Sequence, residues 1–151
     1  MPSLERKPTV AMNWVEVGSR VPSSLPPLLV LHGLFGASGN FKSWATQLGK
    51  EYETGRRIVL ADLRNHGDSP HAASMRFGEM AEDVLALMDK LDIERAVLIG
   101  HSLGAKVAMV AALRQPERIE RLLVLDMAPV SCAREPRASR PPHASAGCAR
   151  R

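Results

Sequence analysis

The stretch that decides the fold is Ala96-Val97-Leu98-Ile99-Gly100-His101-Ser102-Leu103-Gly104, which joins three features in order. Residues 96–99 form a short continuous apolar run, which is typical of a strand that is buried on both faces. The pattern Gly-His-Ser-Leu-Gly follows, and apolar residues at helical spacing begin at Leu103. A serine between two glycines at a strand-to-helix turn is the context of a nucleophile elbow. The stretch therefore predicts Ser102 as a nucleophile at the carboxyl end of a sheet.

The two glycines of this pattern support the elbow interpretation. At a sharp strand-to-helix turn, a Cβ atom at Gly100 or Gly104 is expected to clash with the strand or the helix. The alternative is a glycine-rich turn that contains an incidental serine. The strand before the turn and the helix after it favour the elbow.

Outward from this stretch, short apolar runs alternate with amphipathic segments. Continuous apolar runs indicate parallel strands covered on both faces, so the order predicts an α/β, doubly wound, mostly parallel sheet. Residues 9–17 alternate and end at Gly18, which predicts a further strand at the sheet edge. The predicted buried strands are Leu28–Leu31, Ile58–Ala61, 96–99 and 122–125, and the predicted helices are 41–48, 77–91 and 103–113.

A change of composition after Val130 divides the chain into 1–130 and 131–151. Residues 131–151 contain no Leu, Ile, Val, Met or aromatic residue, so they are predicted to be a disordered Arg/Pro/Ala-rich tail or an out-of-frame translation. Much of the formal net charge of +4 comes from arginines in this segment. Because the segment has no aromatic residue for stacking bases, we expect no nucleic-acid binding.

The cysteines and the apolar runs indicate the protein's surroundings. Cys132 and Cys148 both lie in the tail, without the short Cys or His spacing of a zinc site. No apolar run approaches the roughly 18 residues of a membrane span, and the first eight residues lack the apolar region of a signal peptide. We expect an intracellular, soluble protein, cytoplasmic or mitochondrial, without a transmembrane segment.

A second motif, His32-Gly33-Leu34-Phe35-Gly36, directly follows the predicted strand Leu28–Leu31. Its position predicts an oxyanion-hole loop, in which the N–H of Leu34 and that of Leu103 after the nucleophile are the donors. His32 has two interpretations, a catalytic base or a residue that braces the loop. Its position at the strand end favours bracing.

A third motif, Asp62-Leu63-Arg64-Asn65-His66-Gly67-Asp68-Ser69-Pro70-His71, follows the strand Ile58–Ala61. Together with the two motifs above, Lys106 and Leu125-Asp126-Met127-Ala128-Pro129-Val130, it resembles the α/β-hydrolases related to the mitochondrial α/β-hydrolase domain-containing protein eleven and to small bacterial acyl esterases. The resemblance runs from about Thr9 to Val130.

The resemblance implies a serine hydrolase of acyl esters or thioesters, with a small-molecule substrate and an oligomeric state left open. Ser102 is then the nucleophile, Leu34 and Leu103 are the oxyanion donors, and no cofactor or metal is expected. Asp62, Arg64, His66 and Asp68 are expected to form a structural loop, with a metal cluster as the alternative.

The chain departs from this family after Ser102. The catalytic order is Ser, acid, His, and the only later histidine is His143, in a tail that offers nothing to orient it as a base. We therefore expect a C-terminally truncated member that is inactive as written; the alternative is a non-catalytic pseudoenzyme or a remnant that binds a ligand or partner. Asp126, after the run 122–125, is the candidate acid, or else it caps the turn at a strand end.

Overall fold

Five strands form one sheet in the computed structural model, which describes residues 9–18, 23–51 and 55–128. They are β1 Trp14–Val17, β2 Leu28–Leu31, β3 Ile58–Ala61, β4 Ala96–His101 and β5 Ile119–Leu125. Their spatial order is β1-β3-β2-β4-β5, with β1 antiparallel to β3 and the other pairs parallel. The predicted α/β class, the mostly parallel sheet and the edge position of β1 are confirmed.

Helices cover both faces of the sheet. They are α1 Lys42–Glu51, which follows a 3-10 turn at Ser38–Phe41, then α2 Phe77–Lys90 and α3 Leu103–Arg114. Successive strand residues point to opposite faces: Leu29 packs in the cluster formed with α2 and α3, whereas Val30 packs in the cluster that contains Ala45 of α1. Burial on both faces explains why β2 and β3 are apolar throughout.

The edge strand is shorter than predicted: before β1 the backbone pairing reaches only Asn13, whose carbonyl accepts the Asp62 N–H at 2.9 Å, and side chains take the N–H groups of this segment. The N–H of Val10 donates to Asp83 Oδ1 at 2.8 Å, and that of Asn13 donates to Ser69 Oγ at 2.8 Å. Met12 is buried between these two anchors. The alternating sequence therefore continues before β1, although the backbone pairing ends at Asn13.

Strand β5 is an edge of the sheet that the described residues form. Leu123, Val124 and Leu125 are all more than a third exposed, at 43%, 37% and 39%. The strand is therefore apolar but open, because no described element covers its edge, whereas its continuous apolar run predicts burial on both faces. The predicted tail 131–151, with Cys132, Cys148 and His143, lies outside the described residues. No helix of the described ranges has the length and apolar character needed to cross a membrane.

Candidate active site

Ser102 occupies the sharp turn between β4 and α3. Its backbone angles are φ 50° and ψ −112°, a sparsely populated conformation that costs about 1–3 kcal/mol in a non-glycine residue. Its N–H donates to the carbonyl of Leu125 at 3.0 Å, and its own carbonyl accepts the N–H of Ala105 at 3.1 Å. The strained turn is therefore held from β5 on one side and from α3 on the other.

Close packing of the backbone explains both glycines of the elbow. A Cβ atom on Gly100 would lie 2.5 Å from Cα of Ala105, and one on Gly104 would lie 2.5 Å from the carbonyl oxygen of His32. Both obstacles are backbone atoms, which cannot rotate away. Gly104 also donates its N–H to the His32 carbonyl at 3.1 Å, so α3 begins directly against the loop that follows β2.

That loop is a tight turn beside the serine. Gly36 donates its N–H to the carbonyl of Gly33 at 3.0 Å, and a Cβ on Gly33 would lie 3.2 Å from Ser102 Cβ. Within the described part of the chain, the N–H groups of Leu34 and Leu103 donate to no other residue. Two backbone donors without a described partner thus belong to the residue after the serine and to the loop beside it, and donors so placed can stabilise a developing oxyanion.

His32 braces this loop, as its position predicts. Leu63 donates its N–H to Nε2 at 3.0 Å, so Nε2 carries no proton, and Nδ1 lies 2.7 Å from the carbonyl oxygen of Gly33 and donates to it. Burial lowers the pKa of His32, and His66 lowers it further, against the opposing hydrogen bond to Gly33. A neutral ring with both nitrogens occupied links the oxyanion loop to the loop after β3.

The lowered pKa of His32 predicts a loss of stability in mild acid. Below about pH 6.5 the unfolded chain binds a proton at this residue and the folded chain does not, so the free energy of unfolding should fall as the pH drops from 6.5 towards the folded pKa. Urea unfolding between pH 8 and pH 5 measures this slope. The slope of the free energy of unfolding against pH should be smaller in His32→Asn. It should be unchanged in the control His71→Gln, which alters an exposed histidine. Equal slopes in all three proteins would contradict a lowered pKa at His32.

Asp62 organises the third motif through hydrogen bonds to its carboxylate. Burial acts to raise its pKa, but hydrogen bonds from Asn13, Ser38 and Asp68 outweigh it and hold the pKa below its usual value. The Ser38 N–H lies 2.5 Å from Oδ1, and the Asn13 amide and Asp68 N–H lie 2.9 and 3.1 Å from Oδ2. The carboxylate therefore ties the segment before β1, the 3-10 turn and the motif together.

Arg64 of the same motif is a structural residue as well. Its guanidinium makes a two-point contact with Asp83, at 2.6 and 2.9 Å, and a further ion pair with Glu79 at 3.1 Å. His66 Nδ1 lies 2.9 Å from the Arg64 carbonyl oxygen. These contacts confirm the structural loop. Among the described residues no three His, Cys, Asp or Glu side chains are grouped to hold a metal ion.

Asp126 follows β5 at the same sheet edge as Ser102. It is exposed and has φ 52°, and the residue before it, Leu125, accepts the Ser102 N–H. Its carboxylate bonds to no described residue, and none of the histidines in the described ranges (His32, His66, His71 and His101) hydrogen-bonds to Ser102 or Asp126. The structure thus brings Asp126 near the elbow without joining the two, and His143 lies outside the described residues.

An open cleft beside the elbow was missed by sequence reasoning. Its volume is about 430 Å³, and its walls include Phe35, Phe41 and His101. The Phe41 ring packs edge-on against Trp44 and His101, with ring centroids 6.1 and 6.4 Å apart. The sequence shows these aromatic residues, but only the packing of the 3-10 turn against the sheet brings Phe41 to His101.

Comparisons with known proteins agree with this geometry. The family described as "alpha/beta hydrolase fold" matches residues 26–143. The chain is 44% identical over 108 residues to the sn-1-specific diacylglycerol lipase ABHD11 of Mus musculus and 48% over 103 residues to that of Danio rerio, covering 72% and 68% of this chain and 34% and 32% of theirs. A solved structure titled "Marine microorganism esterase" superposes with a TM-score of 0.72 at 36% identity, covering 80% of this chain and 43% of that one. The chain thus spans about a third of the length of the curated relatives it matches.

Proposed function

The chain belongs to the α/β-hydrolase family, and we propose that it carries the nucleophile and the oxyanion donors of a serine hydrolase of acyl esters or thioesters. One observation carries the proposal: Ser102 is held in a strained conformation, and the residue after it and the loop beside it each carry a backbone N–H without a described partner. Backbone strain that the surrounding structure holds in place, beside donors that no described acceptor uses, is a feature of sites that act on a ligand.

In the proposed reaction, Ser102 Oγ attacks the substrate's acyl carbonyl. The carbonyl oxygen becomes an oxyanion that accepts hydrogen bonds from the N–H groups of Leu34 and Leu103. Collapse of this intermediate expels the alcohol or thiol and leaves an acyl group on Ser102, which water then removes. The relatives' names, a diacylglycerol lipase and an esterase, support a carboxylic ester as the substrate.

The attack also requires a base that removes the Ser102 proton. His32 is excluded by its two hydrogen bonds, and no other described histidine bonds to the serine. We assign Asp126 as the acid that would orient such a base, because it lies at the strand end next to the elbow. Because none of the described histidines is placed as this base, we expect the 151 residues alone to hydrolyse esters poorly. A non-catalytic protein that binds ligands at the same site is the alternative function.

Covalent labelling tests the nucleophile. A reactive alkyl phosphonate should modify the 151-residue chain slowly, at a single position that peptide mass spectrometry locates at Ser102. The variant Ser102→Ala should remain unmodified, whereas Ser43→Ala, which alters an exposed serine on α1, should label as the parent does. Labelling that is spread over several serines, or that survives in Ser102→Ala, would refute the proposed role and favour the non-catalytic alternative.

A further inference from the structure

Exposed apolar side chains gather at the carboxyl edge of the sheet. Strands β2 to β5 are parallel, so the segments that follow them all begin at this edge, where Ser102 also lies. The loop after β2, the first turn of α1 and the start of α2 contribute five large apolar residues that are 37–93% exposed. We call them the apolar rim: Leu34, Phe35, Trp44, Met75 and Phe77.

Phe35 is the most exposed residue of the apolar rim. Its side chain is 93% exposed, and its backbone has φ 61°, which is a strained conformation for a bulky residue. The turn Gly33–Gly36 therefore holds in water an aromatic ring that neither the turn nor the core uses. Strain combined with exposure indicates that the ring meets a partner outside the chain.

The aromatic residues of the apolar rim are spread across the whole edge. Helices α1 and α2 pack on opposite faces of the sheet, so Trp44 and Phe77 lie on either side of it. Phe35 follows β2, which is the central strand of the five. Three such points define a plane, and a broad, flat partner can contact all of them at once.

Basic residues accompany these aromatic residues. Lys42 is exposed and begins α1 two positions before Trp44, and the exposed Arg76 directly precedes Phe77. Lys106 Nζ lies 5.9 Å from the centre of the Phe77 ring. Aromatic rings with adjacent cations are typical of proteins at a membrane–water interface, where the rings lie at headgroup depth and the cations attract anionic lipids.

The opposite edge of the sheet has a different surface. Between the end of α2 and the start of β4, it exposes charges of both signs: Asp89, Lys90, Asp92, Glu94 and Arg95. At the carboxyl edge, the exposed acidic residues Asp68 and Asp126 do not adjoin a rim residue in sequence. Charge next to the apolar rim is therefore positive, which complements a negatively charged surface.

We propose that the carboxyl edge of the sheet docks on an anionic phospholipid membrane. The rings of Phe35, Trp44 and Phe77 enter the headgroup layer, while Lys42 and Arg76 lie against the lipid phosphates. This mode of binding is peripheral and depends on apolar area removed from water together with electrostatic attraction. Docking would place the proposed hydrolase site at the membrane surface, but it does not depend on the chemistry of Ser102.

Trp44 supplies a reporter for docking, because the sequence has only two tryptophans, Trp14 and Trp44. In the variant Trp14→Phe, vesicles of equal parts phosphatidylcholine and phosphatidylglycerol should shift the Trp44 emission to shorter wavelength. Brominated phosphatidylcholine in the same vesicles should quench that emission. Vesicles of phosphatidylcholine alone should bind at least about fivefold more weakly, because the cations then gain less. Trp44 emission that the anionic vesicles leave unchanged would overturn the proposal.

Single substitutions separate the apolar rim from the rest of the surface. In co-sedimentation with the anionic vesicles, Phe35→Asn and Phe77→Ser should each weaken binding about three- to tenfold, and Arg76→Gln up to about fivefold. The matched controls lie at the opposite edge: Leu113→Ser alters a side chain that is 82% exposed at the end of α3, and Lys50→Gln alters an exposed lysine at the end of α1. Both controls should bind as the parent does. Equal affinity in the rim and control variants would overturn the proposal.

The arginines of residues 131–151 offer a second source of attraction to anionic vesicles. They are present in every variant, so they cannot cause a difference between the rim and control variants. Vesicle binding without quenching of Trp44 would assign the attraction to charge alone and overturn the proposal. Ser102→Ala should bind vesicles like the parent protein. Vesicle docking combined with phosphonate labelling away from Ser102 would therefore uphold the membrane surface and refute the proposed nucleophile, and the converse result would do the opposite.

Discussion

Replacing Asp83 with asparagine should lower the free energy of unfolding by about 3–5 kcal/mol, because it removes one partner of a buried ion pair. The side chains of Arg64 and Asp83 are only 3% and 1% exposed, and they make two direct contacts. Asp83 also accepts the N–H of Val10 and so fixes the segment before β1. The loss would be a large part of the 5–15 kcal/mol that stabilises a typical domain.

The chain offers a matched control for this prediction in the ion pair between Arg57 and Glu16. Its side chains are 36% and 42% exposed, and such pairs contribute at most about 1 kcal/mol. Glu16→Gln should therefore shift the urea midpoint only slightly, and the double variant Arg64→Met with Asp83→Leu should recover much of the lost stability. Equal midpoints for Asp83→Asn and Glu16→Gln would show that the buried pair is not an important source of stability.

Local pattern was sufficient to predict the elements that carry the elbow. Strands β2 and β3 have the predicted bounds, because a run of apolar residues that ends at a polar residue records burial on both faces. The elbow could be predicted equally well from the sequence. Gly100 and Gly104 are required by backbone contacts, and the residues they contact are neighbours in sequence or on the adjacent strand. The bounds of the other two parallel strands were predicted less well. Backbone pairing between them extends β4 to His101 and begins β5 at Ile119, and both residues lie outside the predicted apolar runs.

Contacts distant in sequence could not be predicted. Arg64 belongs to a recognisable motif, but in the sequence its partner Asp83 looks like any other acidic residue of an amphipathic helix. The ion pair between them forms only when α2 packs on the sheet. The ring of Phe41 contacts His101 only in the folded chain. The residues that line the cleft therefore follow no periodic pattern in the sequence that could have predicted it. The role of Asp126 stays a prediction, because the residue sits beside the elbow without a described partner.

The 151-residue chain should hydrolyse a short-chain aryl ester barely above background. Complete serine hydrolases owe much of their rate to a base that takes the hydroxyl proton, and removing one member of the triad leaves only the roughly 10³- to 10⁴-fold acceleration that binding and the oxyanion hole supply. Enzymes commonly reach 10⁶-fold or far more. Initial rates of p-nitrophenyl butyrate hydrolysis, with and without the protein, measure the residual acceleration.

The residual rate should depend on the oxyanion geometry and not on His71 or His143. Gly33→Ala places a Cβ 2.8 Å from His101 Nδ1 and displaces the turn that carries the Leu34 N–H, so it should reduce whatever rate is present. His71→Gln and His143→Ala should leave that rate unchanged, because the first removes an exposed ring and the second alters a segment whose composition predicts no element to orient a base. Brisk hydrolysis that disappears both in Ser102→Ala and in His143→Ala would refute this expectation. In that case residues 131–151, interpreted from composition as a tail without structure, would supply the catalytic base.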